Sequence, residues 1–173
     1  CDIENVAIAC SHGNGFGLVS ARLAHARDLG RVELGERVYR MYRQISQIVS
    51  GGQTPHPVRF WNHICHIHEQ MGEAMDRYMA FNVGRFRAFE DWFGGSANFD
   101  RCVATASGVG CLGEDIVIHV LCCDREGIAI SNPRQVQPFR YSLRYGPRPP
   151  CFARATALPQ GDGRAMLLVG GTA

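Results

Sequence analysis

The chain has 173 residues, 46% of them hydrophobic, enough to close one ordinary domain around a real core and to exclude a disordered segment. Its 18 basic and 16 acidic residues are interspersed and leave a net charge of +2, with no basic block to track a phosphate backbone, so no nucleic-acid partner is expected. The longest apolar runs, 116–123 and 165–169, are too short to cross a bilayer and the chain does not open on a signal peptide, which points to a cytoplasmic protein with no membrane partner.

The opening segment reads as a short strand at Val6-Ala7-Ile8-Ala9-Cys10 and a turn at His12-Gly13-Asn14-Gly15, with nothing further assigned up to Leu29. Leu34, Val38, Met41, Ile45 and Ile48 or Val49 recur at helical spacing and predict an amphipathic helix over 34–49, stopped by Gly51-Gly52. Pro55 and Pro57 break the chain before Val58-Arg59-Phe60-Trp61-Asn62-His63-Ile64, whose aromatic and β-branched residues predict a strand. A longer helix is expected over 68–92, carrying Met71, Met75, Tyr78, Met79, Phe81, Phe86 and Phe89 and ended by Gly94-Gly95. Short strands follow at 102–106, 116–123, 135–141, 151–158 and 166–172, separated by turns with Gly, Pro or Asp. This order predicts an α+β domain with helices on one face of a sheet, closing near Asp124. The strands after Asp124 have no helix of their own to cover them, so they either join the first sheet or open a second unit. The first residue is Cys rather than Met, which suggests a chain that begins inside a longer reading frame.

Eight cysteines at irregular spacing among apolar neighbours, as in Val120-Leu121-Cys122-Cys123, read as reduced core thiols rather than a disulfide framework. His63, Cys65, His66 and His68 resemble zinc ligands, but strand alternation divides them between elements and no second ligand pair exists, so no metal is expected. Gly108, Gly110 and Gly113 are followed by a β-rich segment, not by a helix whose N-terminus could hold pyrophosphate, and read as a hairpin turn. Cys151 follows two prolines without an evident His partner and reads as a packing residue. The run 132–154 differs in kind, with five Arg and two Tyr in 23 residues held by prolines. It is either a set of forked donors for a small polyanion or a solvated edge hairpin.

Asn132-Pro133-Arg134-Gln135-Val136, Tyr141, Tyr145-Gly146-Pro147-Arg148-Pro149-Pro150, Phe152-Ala153-Arg154-Ala155-Thr156 and Gly170-Gly171-Thr172-Ala173 resemble the signature stretch of chorismatases. Earlier in the chain, Arg59-Phe60-Trp61-Asn62 and Phe81-Asn82-x-Gly84-Arg85-x-x-Ala88-Phe89 match the same family in the same order. The resemblance, running from Val38 to Ala173, implies RidA/YjgF-like (chorismate mutase-like) α+β units. Residues 1–125 would form the first unit, and 132–173 the opening strands of a second, substrate-binding one.

It further implies conversion of chorismate to pyruvate plus 3- or 4-hydroxybenzoate, or a dihydroxycyclohexadiene carboxylate, by acid-catalysed loss of the enolpyruvyl group without a cofactor. By the same resemblance Arg148 and Arg154 bind carboxylate, Tyr141, Tyr145 and Thr172 donate hydrogen bonds, and Arg85 and Cys151 stand beside them. The family's general acid is a Glu in a Ser-x-x-Gly-Glu segment after the Gly-Thr-Ala strand. No such segment occurs here, so the catalytic Glu is expected beyond Ala173 and the chain reads as incomplete. A monomer or a trimer is compatible with the resemblance. The alternatives are a RidA-like imine deaminase or carboxylate-binding module, and a noncatalytic fragment acting as scaffold.

Overall fold

The structure, a computed structural model, describes residues 6–72 and 74–171. Strands β1 (Val6–Gly13) and β2 (Phe16–Leu23) form a hairpin across Asn14 and Gly15. Both turn residues have left-handed φ, 53° and 78°, the conformation that makes Asn-Gly the favoured two-residue hairpin loop. The first strand thus runs past Cys10, and β2 is an element the sequence reading did not assign. Val19, Ala21 and Leu23 of β2 alternate inward, but Gly17, Ser20 and Arg22 dilute the pattern.

Helix α1 (Arg31–Gly51) turns Leu34, Val38, Met41, Tyr42, Ile45 and Val49 to the core and gives way to β3 (His56–Cys65). Helix α2 (Arg77–Phe93) starts at Arg77, not at residue 68, because the described residues between β3 and Arg77 form a loop instead. Within it His66 and Ala74 have left-handed φ, and Gln70 bridges Asp76. Asp76 then caps the helix, accepting the Met79 N–H at 2.8 Å. Met71 and Met75, which fit the helical period, pack on the core from that loop. A short helix, α3 (Phe99–Cys102), takes the place of the start of the strand expected at 102–106. Strand β4 (Thr105–Cys111) includes Gly108 and Gly110, leaving only Gly113 for the turn into β5 (Ile116–Cys123).

These five strands form one sheet in the order β1-β2-β5-β3-β4, with β4 parallel to β3 and the other neighbours antiparallel. Helices α1 and α2 share one face, their apolar residues forming a single cluster with Val19, Phe60, Ile116, Ile118 and Val120. Tyr42, Phe60, Phe81 and Phe89 interlock at its centre, the Tyr42–Phe89 and Phe60–Phe89 centroids lying 5.4 Å apart. Full burial of each such ring stabilises by about 1.5–3 kcal/mol. The helices touch backbone to backbone: a Cβ on Gly84 would lie 2.1 Å from the Gly35 carbonyl oxygen, closer than any atom can pack.

Strands β6 (Ile128–Ile130), β7 (Ala155–Pro159) and β8 (Ala165–Val169) make a separate antiparallel sheet, so they do not join the first. The strand expected at 135–141 is not formed. Pro138 has no N–H to give a ladder and instead opens a 3-10 turn, Pro138–Arg140, followed by a second, Leu143–Tyr145. Thr172 lies outside the described residues. A hydroxyl relay ties the two sheets: Thr156 Oγ1 sits 2.8 Å from Thr105 Oγ1 and accepts the Thr105 N–H at 3.0 Å, and Thr105 Oγ1 donates to the Leu168 carbonyl at 3.2 Å. Among the described residues the seven cysteines are free and no helix is long and apolar enough to cross a membrane.

Candidate functional site

Along α2, Tyr78, Phe81 and Arg85 follow one another at helical spacing towards the sheet edge formed by β4. Asn62 from β3, Gly108 from β4, Phe152 ahead of β7 and Gly171 after β8 complete a cavity of about 270 Å³. That volume is close to the lower limit of small-ligand sites. Four of the motif segments quoted above, from Asn62 to Gly171, therefore converge on one space.

Arg85 is only 2% exposed. Its guanidinium lies 4.6 Å from the Phe89 centroid, 5.6 Å from Phe60 and 5.7 Å from Tyr42. Aromatic faces attract a cation but offer no hydrogen-bond acceptor in the guanidinium plane. Arg85 Nε and Nη2 accordingly have no hydrogen-bond partner among the described residues. Beside it, Tyr42 donates to Asn62 Oδ1 and Asn62 Nδ2 donates to the Ser107 carbonyl at 2.9 Å, which fixes the amide orientation. Burial pushes the Tyr42 hydroxyl up to about 12 despite the nearby Arg85 charge, and raises Tyr78 in the same way, so both remain neutral phenols.

The expected site residues fall into three places. Arg154, Tyr141 and Tyr145 come together: Arg154 Nη2 donates to the Tyr141 hydroxyl at 3.2 Å and to the Val136 carbonyl at 3.3 Å, and the two tyrosine centroids are 5.3 Å apart. Arg154 Nε is buried without a partner. Arg148 lies elsewhere, exposed and stacked 5.0 Å from the Phe86 centroid, where it lines a groove of about 400 Å³ with Arg31, Glu36 and Arg87. Arg85 occupies the cavity, and Cys151 is buried close enough to feel its charge. Burial pushes the Cys151 thiol up to about 12, so it is a neutral packing group and no nucleophile.

His63 meets His119 at 5.7 Å between centroids, His119 Nδ1 lies 2.8 Å from Ser20 Oγ, and Cys65 is buried in the core. Among the described residues no three potential metal ligands gather. Sequence reasoning gave no role to Asn62 or Tyr78. An amide inside the apolar strand 58–64 is itself a signal, because a buried polar side chain needs a reason. Tyr78 carries no such signal, since a tyrosine at helical spacing is ordinary core.

The fold is an α+β unit, two helices on one face of a mixed five-stranded sheet, with a small cavity beside a buried arginine. The chain belongs to the FkbO/Hyg5-like chorismatase family, whose profile, described as "Chorismatase FkbO/Hyg5-like, N-terminal", matches residues 2–122. It is 43% identical over 119 residues to a 3-hydroxybenzoate synthase of Streptomyces hygroscopicus, a match covering 66% of this chain and 34% of that protein. It is 31% identical over 137 residues to a chorismatase of Streptomyces rapamycinicus, covering 77% of this chain and 39% of that protein. A chorismatase crystal structure superposes with a TM-score of 0.73 at 25% identity, over 93% of this chain and 48% of that one. The fold is therefore the RidA/YjgF-like α+β arrangement. The chain spans between a third and two fifths of the length of these curated relatives.

Proposed function

We propose that this chain serves a chorismatase, releasing pyruvate from chorismate with formation of a hydroxybenzoate or a dihydroxycyclohexadiene carboxylate. Residues 1–125 act as the first RidA-like unit, and 132–173 open a second, substrate-binding one. The separate sheet formed by β6, β7 and β8 supports that division. The observation that carries the functional reading is the Arg154, Tyr141 and Tyr145 cluster, in which a half-buried guanidinium with an unpartnered Nε stands beside two phenols.

Chorismate presents two carboxylates and an enol ether. Protonation of the terminal methylene gives an oxocarbenium-like carbon; water then adds there and pyruvate departs, or the ring rearranges to the isomeric hydroxybenzoate as pyruvate leaves. In this scheme Arg154 grips a carboxylate through its N–H donors, with Tyr141, Tyr145 and Thr172 adding single hydrogen bonds, while Arg148, on its separate groove, is not part of that contact. The family's Glu donor has no counterpart within these 173 residues, so binding and orientation are the roles assigned to them.

The test is pyruvate release from chorismate, followed by coupling to lactate dehydrogenase, in the wild type and in Arg154→Ala. Loss of a charged hydrogen bond to substrate predicts a fall in kcat/KM of roughly tenfold to a hundredfold. Wild-type kinetics from Arg154→Ala would remove the role assigned to that residue, and hydrolysis of 2-aminoacrylate in place of pyruvate release would move the chain to imine deamination.

A further inference from the structure

Helices α1 and α2 cover the sheet with one side and leave a furrow of about 400 Å³ between them. Gly35 and Gly84, where the helices touch, both line it, so no side chain fills the space between the two helix ridges there. Val32, 78% exposed, joins Val83 and Pro147 as apolar wall. A β-branched residue at an exposed helix position adds neither burial nor helix propensity to the fold, and here it extends an apolar surface instead. The charges around that surface are one-sided. Arg31, Arg87 and Arg148 stand against a single acid, Glu36, whose two oxygens already accept from Arg40 at 3.0 Å and Arg87 at 2.9 Å. Phe86, 5.0 Å away, occupies the face of the Arg148 guanidinium and leaves its in-plane N–H donors for another acceptor; among the described residues Arg148 has no ion-pair partner.

We propose that this furrow is a docking groove for an acidic amphipathic helix of a partner protein. One apolar side chain of that helix sits over Gly35 and Gly84, and carboxylates on its flanks meet the arginine rim. The shape of the walls selects a helix. Both walls are helices that bond their own N–H and C=O groups, so an extended peptide laid here would find no ladder partner, whereas a helix brings its backbone bonds with it. Along α2 the wall runs from Ala80 to Arg87, about 10 Å, which matches two turns of such a helix. The groove is separate from the Arg154, Tyr141 and Tyr145 cluster, and its occupation does not require turnover of chorismate.

The test uses a fluorescein-labelled synthetic peptide with leucines at helical spacing and glutamates on both flanks, titrated into the protein and followed by fluorescence anisotropy. This peptide is expected to bind saturably, and its lysine-flanked counterpart about tenfold more weakly or worse. Raising the salt from about 0.1 M to about 1 M, which shortens the screening length from roughly 10 Å to roughly 3 Å, should weaken the glutamate peptide. Val32→Asp puts a carboxylate in the first turn of α1, where an acid is favoured, so the fold is kept by circular dichroism while binding falls about tenfold. Arg148→Glu should give a loss of the same size. Arg164→Glu, in the turn between β7 and β8 and 84% exposed, lies off the groove and should bind as the wild type does. Absence of saturable binding, equal affinity for the lysine peptide or for a proline-interrupted glutamate peptide, unchanged binding in both groove variants, or an equal loss in Arg164→Glu would each overturn the proposal.

Discussion

The two sheets of this chain are built from similar strand residues and end in different states. In the first, β2, β3 and β5 place Val19, Phe60, Ile116, Ile118 and Val120 under α1 and α2, and all are essentially sealed from solvent. In the second, Leu158 is the one large apolar strand residue that reaches full burial, against Val58 and Cys123, while Ile128, Met166, Leu167 and Val169 stay exposed. The difference lies in the covering layer, because a sheet face is hydrophobic only in prospect until a helix or another sheet lies on it. Polar bonds take over what burial does not supply at the junction, where Thr105 and Thr156 hold the small sheet to the edge of the large one.

That contrast can be broken by substitution, beginning where the effect is largest. Phe89→Ala removes the ring at the centre of the aromatic cluster and should cost about 3–5 kcal/mol, measured by urea denaturation; a loss below 1 kcal/mol would mean that the helix-covered layer does not carry the stability. Thr156→Val keeps the side-chain shape, strands the buried Thr105 N–H, and should cost roughly 1–3 kcal/mol. Its signature is regional, with amide exchange accelerated in β7 and β8 and unchanged in β2, whereas uniform acceleration would show that the sheets unfold as one unit. Leu167→Glu, on the open face of the small sheet, should change stability by no more than about 0.5 kcal/mol. A cost of the size expected for Phe89→Ala would reveal that this face is covered in solution.

The elements readable in the sequence were those whose period matches their environment. The apolar stripe from Leu34 to Val49 predicts α1, and the run at Ile116–Cys123 predicts β5 at the bounds the structure gives it. Reading failed where local pattern and tertiary packing diverged. Met71 and Met75 fit a helix and bury themselves from a loop, because Asp76 offers a better cap than any residue before it. At 135–141 the aromatic residues suggested a strand, but Pro138 cannot join a ladder. For the site, Arg154, Tyr141 and Tyr145 were legible as a dense run of donors, and they do meet. Arg148, six residues from Arg154, lines a different surface, which sequence proximity concealed.

By itself the sequence determined the class of the fold, the presence of donors suited to a carboxylate and the family in which they recur, since all three are written in residue type and spacing. Only the tertiary structure decided which of two arginines in α2 ties segments together through carbonyls and Glu69 and which packs among aromatic rings. That distinction depends on what lies opposite each guanidinium: carbonyl oxygens and Glu69 for Arg77, aromatic rings and a cavity for Arg85. Those partners come from segments distant in the chain, and their distance is set by the packing of α2 on the sheet, a long-range outcome that no local pattern encodes.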